Sequence, residues 1–260
     1  MRQHRTTHRF RPGLLRSLSS LAVLAGATGC AQHPAEPPAS GATPSASAAD
    51  TPLDPAAQGV VDRRGKGGAS VFVAHMVSDF EGFKKFFEEG AAERVKAGVK
   101  GHLLTRLDDG RVVIHLFAGD LPAVKMTLES PALQEYLSRS GSPDASLVWL
   151  AHDEFIKLPA TPPTGQTFSL YYKLRASDLP ALRRGFVELQ PVFAEQGVIG
   201  SGLHQSVAHA DLMFLHFMGT ARDKLEALSK RPEFEAWLSA SGATEPKSFL
   251  GEDLSRSRTE

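Results

Sequence analysis

Ser78-Asp79-Phe80-Glu81-Gly82-Phe83-Lys84-Lys85-Phe86-Phe87 decides the fold, because a version of it returns 99 positions later as Ser177-Asp178-Leu179-Pro180-Ala181-Leu182-Arg183-Arg184-Gly185-Phe186. Both copies open on Ser-Asp, place two basic residues at the same point and keep apolar residues at helical spacing. Ser78 reads as an N-cap with Glu81 three residues on, a capping box. Phe80, Phe83, Phe87, Ala91 and Val95 then form one apolar stripe. In the second copy Ser177 or Asp178 caps the helix, and Pro191 inside it predicts a kink or an early end.

The correspondence extends in both directions. Gly98-Val99 matches Gly197-Val198, and Gly101 matches Gly200. The offset then becomes 101: Ile114-His115-Leu116-Phe117 matches Leu215-His216-Phe217-Met218, Pro131 matches Pro232, Tyr136-Leu137 matches Trp237-Leu238, and Ser140-Gly141 matches Ser241-Gly242. Such ordered agreement is the mark of a tandem duplication of one structural unit. In the first unit the expected strands are 69–77, 102–107, 112–117 and a short 147–150, with Asp109-Gly110 as a hairpin turn. Helices follow Ser78 and Pro131. In the second unit the strands are 168–174, 203–207, 212–218 and 248–250. Each unit thus reads strand, helix, strand, strand, helix, strand, a ferredoxin-like order. Val71-Phe72-Val73-Ala74 and Val112-Val113-Ile114 do not alternate, so both faces of these strands must be covered.

The expected organisation is a signal peptide at 1–30, a disordered tether at 31–67, unit 1 at 68–158, a Pro-rich linker at 159–165, unit 2 at 166–255 and a tail at 256–260. The tether is Pro, Ala, Ser and Gly without an aromatic residue, a composition that cannot offset its ordering entropy. The first 30 residues hold five arginines and no acid; without them 24 basic residues face 29 acidic ones, a net of −5. That balance gives no electrostatic reason to bind nucleic acid.

Arg2, Arg5, Arg9, Arg11 and Arg16 precede a short apolar run, Leu18 to Ala27, that ends in Ala27-Thr28-Gly29-Cys30. Cys30 is the only cysteine. This ending resembles the lipobox of bacterial lipoproteins, with Ala27 where that family more often has leucine. The resemblance implies cleavage before Cys30, a diacylglycerol on its thiol and an acyl chain such as palmitate on its amine. It therefore implies attachment to a membrane of the bacterial cell envelope. Ala31, rather than Asp, points to the outer membrane.

Arg231-Pro232-Glu233-Phe234-Glu235-Ala236-Trp237-Leu238 with Ser241-Gly242-Ala243, and its twin from Ser130 to Leu137, resemble the last helix and turn of the dimeric α/β barrel superfamily, which includes the antibiotic biosynthesis monooxygenase-like domains. The resemblance covers both units. It implies an α+β chain of two tandem ferredoxin-like βαββαβ units, packed sheet to sheet as an intrachain pseudo-dimeric barrel and therefore a monomer. The antibiotic biosynthesis monooxygenases use the barrel lumen for oxygenase chemistry and often need no metal, and some relatives bind haem through a lumen histidine.

The residues themselves name no catalytic set. Gly-x-Ser-x-Gly is absent, Gly65-Lys66-Gly67-Gly68 lacks the context of a phosphate loop, and no metal motif has the required close spacing. The candidates for ligand binding are His75, His115, Tyr172, His204 and His216, with Tyr171 nearby. One reading sets His75, His115 and His216 around the lumen, where histidine could serve as base or ligand. Alternatively they are hydrogen-bonded core residues, which require only shape and one partner each. His152-Asp153-Glu154 and Glu252-Asp253 read as solvated strand ends. The chain is thus expected to be a lipid-anchored, non-catalytic binding or interaction protein with no cofactor, its partner a small molecule or another envelope protein. An oxygenase or haem-binding protein is the alternative.

Overall fold

The computed structural model describes residues 54–119, 121–128 and 147–258. The signal, Cys30 and the Pro131 helix lie outside these residues. After a 3-10 turn at Pro55–Gln58 come strands β1 (Val61–Asp62), β2 (Ala69–Met76), β3 (Val99–Leu107), β4 (Arg111–Ala118), β5 (Leu147–Lys157), β6 (Thr167–Ala176), β7 (Val198–Ser206), β8 (Leu212–Gly219) and β9 (Ala243–Arg258). The helices are α1 (Phe80–Glu89), α2 (Ala91–Lys96), α3 (Leu121–Leu128), α4 (Leu179–Glu188), α5 (Gln190–Glu195), α6 (Arg222–Leu228) and α7 (Pro232–Ala240).

The helix that opens each copy begins where the Ser-Asp pair predicts, with Asp rather than Ser as the cap. Asp79 accepts from the Gly82 N–H and Asp178 from the Ala181 N–H. Phe83 and Phe87 are buried one turn apart, but Gly90 breaks the helix, and Val95 on α2 is exposed rather than part of the stripe. In the second copy the break falls at Leu189, just before Pro191. The short helices α3 and α6 carry no cap signal of the expected kind and were not legible in the sequence.

All nine strands join one antiparallel sheet, in the order β1-β5-β2-β4-β3-β9-β6-β8-β7, and a further β5–β7 pairing closes eight of them into a barrel. Two long strands make the closure. The first part of β5 pairs with β2, from Ala74↔Leu147 to Ala69↔His152, and its end pairs with β7, from Ala151↔Ser206 to Lys157↔Ser201. Likewise β9 pairs first with β6 and then, through Gly251 to Arg258, with β3. The short last strands expected at 147–150 and 248–250 are therefore parts of strands that run on. Instead of two sheets stacked face to face, there is one continuous hydrogen-bonded sheet. Asp153 and Asp253 lie inside these strands and are buried, as is Glu154, which is bonded to Arg183. The expectation of solvated strand ends fails for Asp153, Glu154 and Asp253 because the strands do not end there, whereas His152 is exposed and Glu252 half-exposed.

Two apolar layers coat the outside of the barrel under the helices. One gathers Val71, Val73, Phe83, Phe87, Leu104 and Ile114. The other gathers Leu182, Phe186, Phe193, Phe217, Phe234 and Trp237. A third cluster, with Phe72, Ala74, Val113, Tyr171 and Phe214, fills the interior. The expected disorder of the tether does not hold from residue 54 onward. Asp54 caps the 3-10 turn, Val60 is buried in the outer core, Val61 pairs with Ile156, and the Arg64 guanidinium lies over the Phe155 ring.

Candidate functional site

Strand alternation decides which candidates meet. His115 pairs with Phe72 and His75 with Val112 in the β2–β4 ladder. His115 is three residues from Val112, so the two histidines point to opposite faces. His115 faces the lumen. His75 lies outside, under α1, with its ring 5.0 Å from that of Phe83. Its expected place in the lumen is corrected by this register. Tyr172 also faces outward, 5.3 Å from Phe234. His204 and His216 do face the lumen, and their rings each lie 5.3 Å from that of His115.

Around the three histidines the barrel builds two related polar nodes. In the first, the Ser70 hydroxyl donates to Asp153 Oδ1 at 2.7 Å, His204 Nδ1 lies 2.9 Å from the same oxygen, and His115 Nε2 lies 3.0 Å from Ser70 Oγ. In the second, Ser169 Oγ lies 3.0 Å from His216 Nε2, and the Thr105 hydroxyl donates to Asp253 at 2.8 Å and lies 3.0 Å from the Tyr171 hydroxyl. The correspondence reaches the stacking. Phe72 lies on His115 at 4.2 Å, and Tyr171 on His216 at 4.8 Å. Ser70 and Ser169 stand at the 99 offset, as do Thr105 and His204. These partners were missed in the sequence, although the 99 offset that pairs Ser78 with Ser177 also pairs the two serines.

The nodes differ where Thr105 is replaced by His204. A ring at 204 needs room, and Gly202 provides it. A Cβ at 202 would overlap Nε2 of His204 and come within 3.0 Å of its Cε1. The residue at the same offset in the first unit is Leu103, which faces His115 across the β3–β4 pair.

The electrostatics follow the partners. Burial pushes the Asp153 carboxyl up, but the hydrogen bonds from His204 and Ser70 outweigh it and hold its pKa below the ordinary value. Asp253, with Thr105 in place of a histidine, is raised by burial. Burial, with the fields of the neighbouring imidazoles, pushes His115 well below its usual range and His216 down to about 3. Both rings are therefore neutral at pH 7. Because the Ser70 proton goes to Asp153, His115 must donate from Nε2 to Ser70 Oγ, which leaves its Nδ1 lone pair without a protein partner. His204 Nε2 is likewise without one.

The lumen around this cluster is closed by its own side chains. The pocket at its apolar end, between Phe72, Trp149, Tyr171, Phe214 and Phe249, is about 30 Å³. That is room for about one water, whereas cofactor pockets run to about 300–1,000 Å³. A pocket of that size does not admit haem. No set of three His, Cys, Asp or Glu side chains is placed to hold a metal ion among the described residues. A pocket of about 430 Å³ opens instead at the barrel mouth, on Trp149, Lys173, Leu174, Leu212, Glu245 and Lys247.

No sequence family and no curated protein matches this chain. Solved structures with little sequence in common do. A candidate monooxygenase of Fusobacterium nucleatum subsp. nucleatum superposes with a TM-score of 0.57 at 12% identity, over 74% of this chain and 94% of its own. One from Lactobacillus acidophilus gives 0.56 at 9%, over 74% and 96%. An anthrone oxidase-like protein gives 0.53 at 11%, over 76% and 96%. At such identities these likenesses show a shared fold and nothing more.

Proposed function

We propose that this chain is a lipid-anchored binding module of the bacterial cell envelope, built as an intrachain pseudo-dimer, with a structural lumen and a ligand pocket at the barrel mouth. The observation that carries this reading is the contrast in space. The histidine-lined interior is filled, and the mouth is open. The Ser-His-Asp nodes then act as the polar core of the barrel, fixing register between strands from both units. The pseudo-dimer is supported by the repeated nodes and by the exchange of β5 and β9 between the two units. It entails that the chain sediments as a monomer.

The anchor rests on the lipobox-like ending at Cys30. Several acyl chains on one residue hold a protein stably, since each buried methylene contributes about 0.8 kcal/mol. Cys30→Ser is expected to release the protein from the membrane fraction and to abolish the mass added by acylation. A variant that stays with the membrane at unchanged mass would rule the anchor out.

A second reading is oxygenase or haem-binding activity in the lumen. Two observations favour it: the unpartnered His115 Nδ1 and His204 Nε2, and the fold shared with candidate monooxygenases. Titration with haem and with zinc separates the readings. Under the binding-module reading neither is taken up, and His115→Phe only costs stability, roughly 1–3 kcal/mol, by stranding Ser70. Stoichiometric haem uptake that His115→Phe abolishes would establish the second reading instead.

A further inference from the structure

The mouth pocket carries a charge arrangement that its own surroundings do not complete. Lys173 on β6 and Lys247 on β9 are directly opposed in the antiparallel ladder. Like charges in that position repel. Of the nearby acids, Asp211 binds Arg175 at 2.5 Å, and Glu245, on the same pocket wall, adds its field to that guanidinium and has no ion pair with either lysine among the described residues. Neither lysine has an ion pair among the described residues. Lys173 is half-buried and holds its ammonium 5.1 Å from the centre of the Trp149 ring.

The backbone is specialised at the same place. Between the Lys173↔Lys247 and Arg175↔Thr244 pairs the register shifts, with Glu245 and Pro246 facing the single residue Leu174. Glu245 takes φ 52°, and no other non-glycine residue among those described has positive φ. A bulge of this kind bends a strand and re-aims the side chains beside it. Here it lies on the pocket wall, next to Lys247. The rest of the wall sets an apolar side, from Leu174, Leu212 and the Trp149 face, against Arg175, Ser206 and His209. All this belongs to a domain whose mature charge is negative, so a pair of uncompensated lysines is a local exception.

We propose that this pocket binds a small amphipathic organic acid, its carboxylate between Lys173 and Lys247 and its apolar body against Trp149 and Leu212. The inference rests on the binding-module reading and adds the chemical class of ligand. A volume of about 430 Å³ suits a ligand of roughly ten to twenty heavy atoms. A carboxylate accepts from both ammonium groups and relieves their repulsion, and an aromatic or alkyl body removes the indole face from water.

The test uses the full chain with Cys30→Ser, so that no detergent competes. Naphthylacetate and its neutral amide, naphthylacetamide, are titrated against indole fluorescence, with Trp149→Phe to identify the reporter. The acid is expected to quench Trp149 and the amide to bind at least about tenfold more weakly. Lys173→Met and Lys247→Met should each weaken the acid by about tenfold and leave the urea midpoint of the protein in place, and Lys247→Arg should retain binding. Equal affinity for acid and amide, or unchanged affinity in both Met variants, would overturn the anion site while leaving a neutral binding pocket. Absence of quenching by either compound at millimolar concentration, with haem uptake in the lumen, would overturn the anion site and the module reading together.

Discussion

Gly202→Leu is expected to destabilise the barrel by about 3 kcal/mol or more, and the double change Gly202→Leu/His204→Thr to recover most of that loss. The single change places a side chain where the His204 ring lies, with Ile156 Cδ1 3.3 Å behind it. Overpacking a filled interior costs about 1–3 kcal/mol. The His204 ring must also leave, and its hydrogen bond to Asp153 goes with it. Asp153 is buried and ionised, so a lost donor adds about 1–3 kcal/mol, and more for a charged group. The double change installs the Leu and Thr found at 103 and 105, where the same strand geometry already accommodates them. Threonine at 204 can donate to Asp153 as Thr105 does to Asp253. His204→Thr alone should lie between parent and single variant, since it opens a hole beside Gly202. Urea midpoints of the four proteins form the cycle. If the double variant is no more stable than Gly202→Leu, the two positions are not coupled and the account of the asymmetry fails.

That coupling shows what a sequence of this kind makes legible. The duplication, read from Ser78 and Ser177, placed the hairpin strands, the first helices and the matched faces of His115 and His216. Alternation along β2 and β4 could have excluded His75 from the lumen, given the register. The register depends on which residues the Asp109-Gly110 turn pairs, and the hairpin signal alone leaves that open by a residue. The nodes were harder to see. Ser70, Asp153 and His204 come from three strands, and the β5–β7 pairing that unites two of them is not local. No periodicity announces that β5 continues past Leu150, because its second half is buried by a different unit. The carboxylates were misread for that reason: an Asp after an apolar strand resembles a solvated end until another strand covers it. The mouth pocket was invisible for a related reason, since Lys173 and Lys247 meet only across the β6–β9 ladder.

The buried histidines make acid lability the other large expected effect. Burial, with the field of His204, holds His216 down to about 3; burial, with the field of Arg94, holds His102 down to about 4; and burial, with the fields of His216 and His204, holds His115 well below its usual range. In the unfolded chain each titrates near 6.5. Below that pH the unfolded state binds protons that the folded state refuses, so stability is full above about pH 6.5 and falls as pH drops toward the folded values. The slope is about 1.4 kcal/mol per pH unit for each such histidine. Three of them give about 4 kcal/mol per unit between pH 6 and 5, a large share of the roughly 5–15 kcal/mol typical of a domain. Asp153 does not enter this window. Its lowered carboxyl contributes stability that is present above about pH 4 and is lost only as pH falls toward its folded value. Asp253 acts in the opposite sense, because its raised carboxyl keeps a proton in the folded state at a pH where the unfolded chain has released it. Urea midpoints at pH 7.5, 6.5, 5.5 and 5.0 measure the net effect. His216→Phe keeps a ring against Tyr171, starts from a lower midpoint at pH 7.5 and should show a slope smaller by about one proton. A parent protein whose stability is flat from pH 6.5 to 5.0 would mean that these imidazoles take up protons inside the fold. The lumen would then be hydrated rather than filled, and the structural role given to the polar nodes would fall with it.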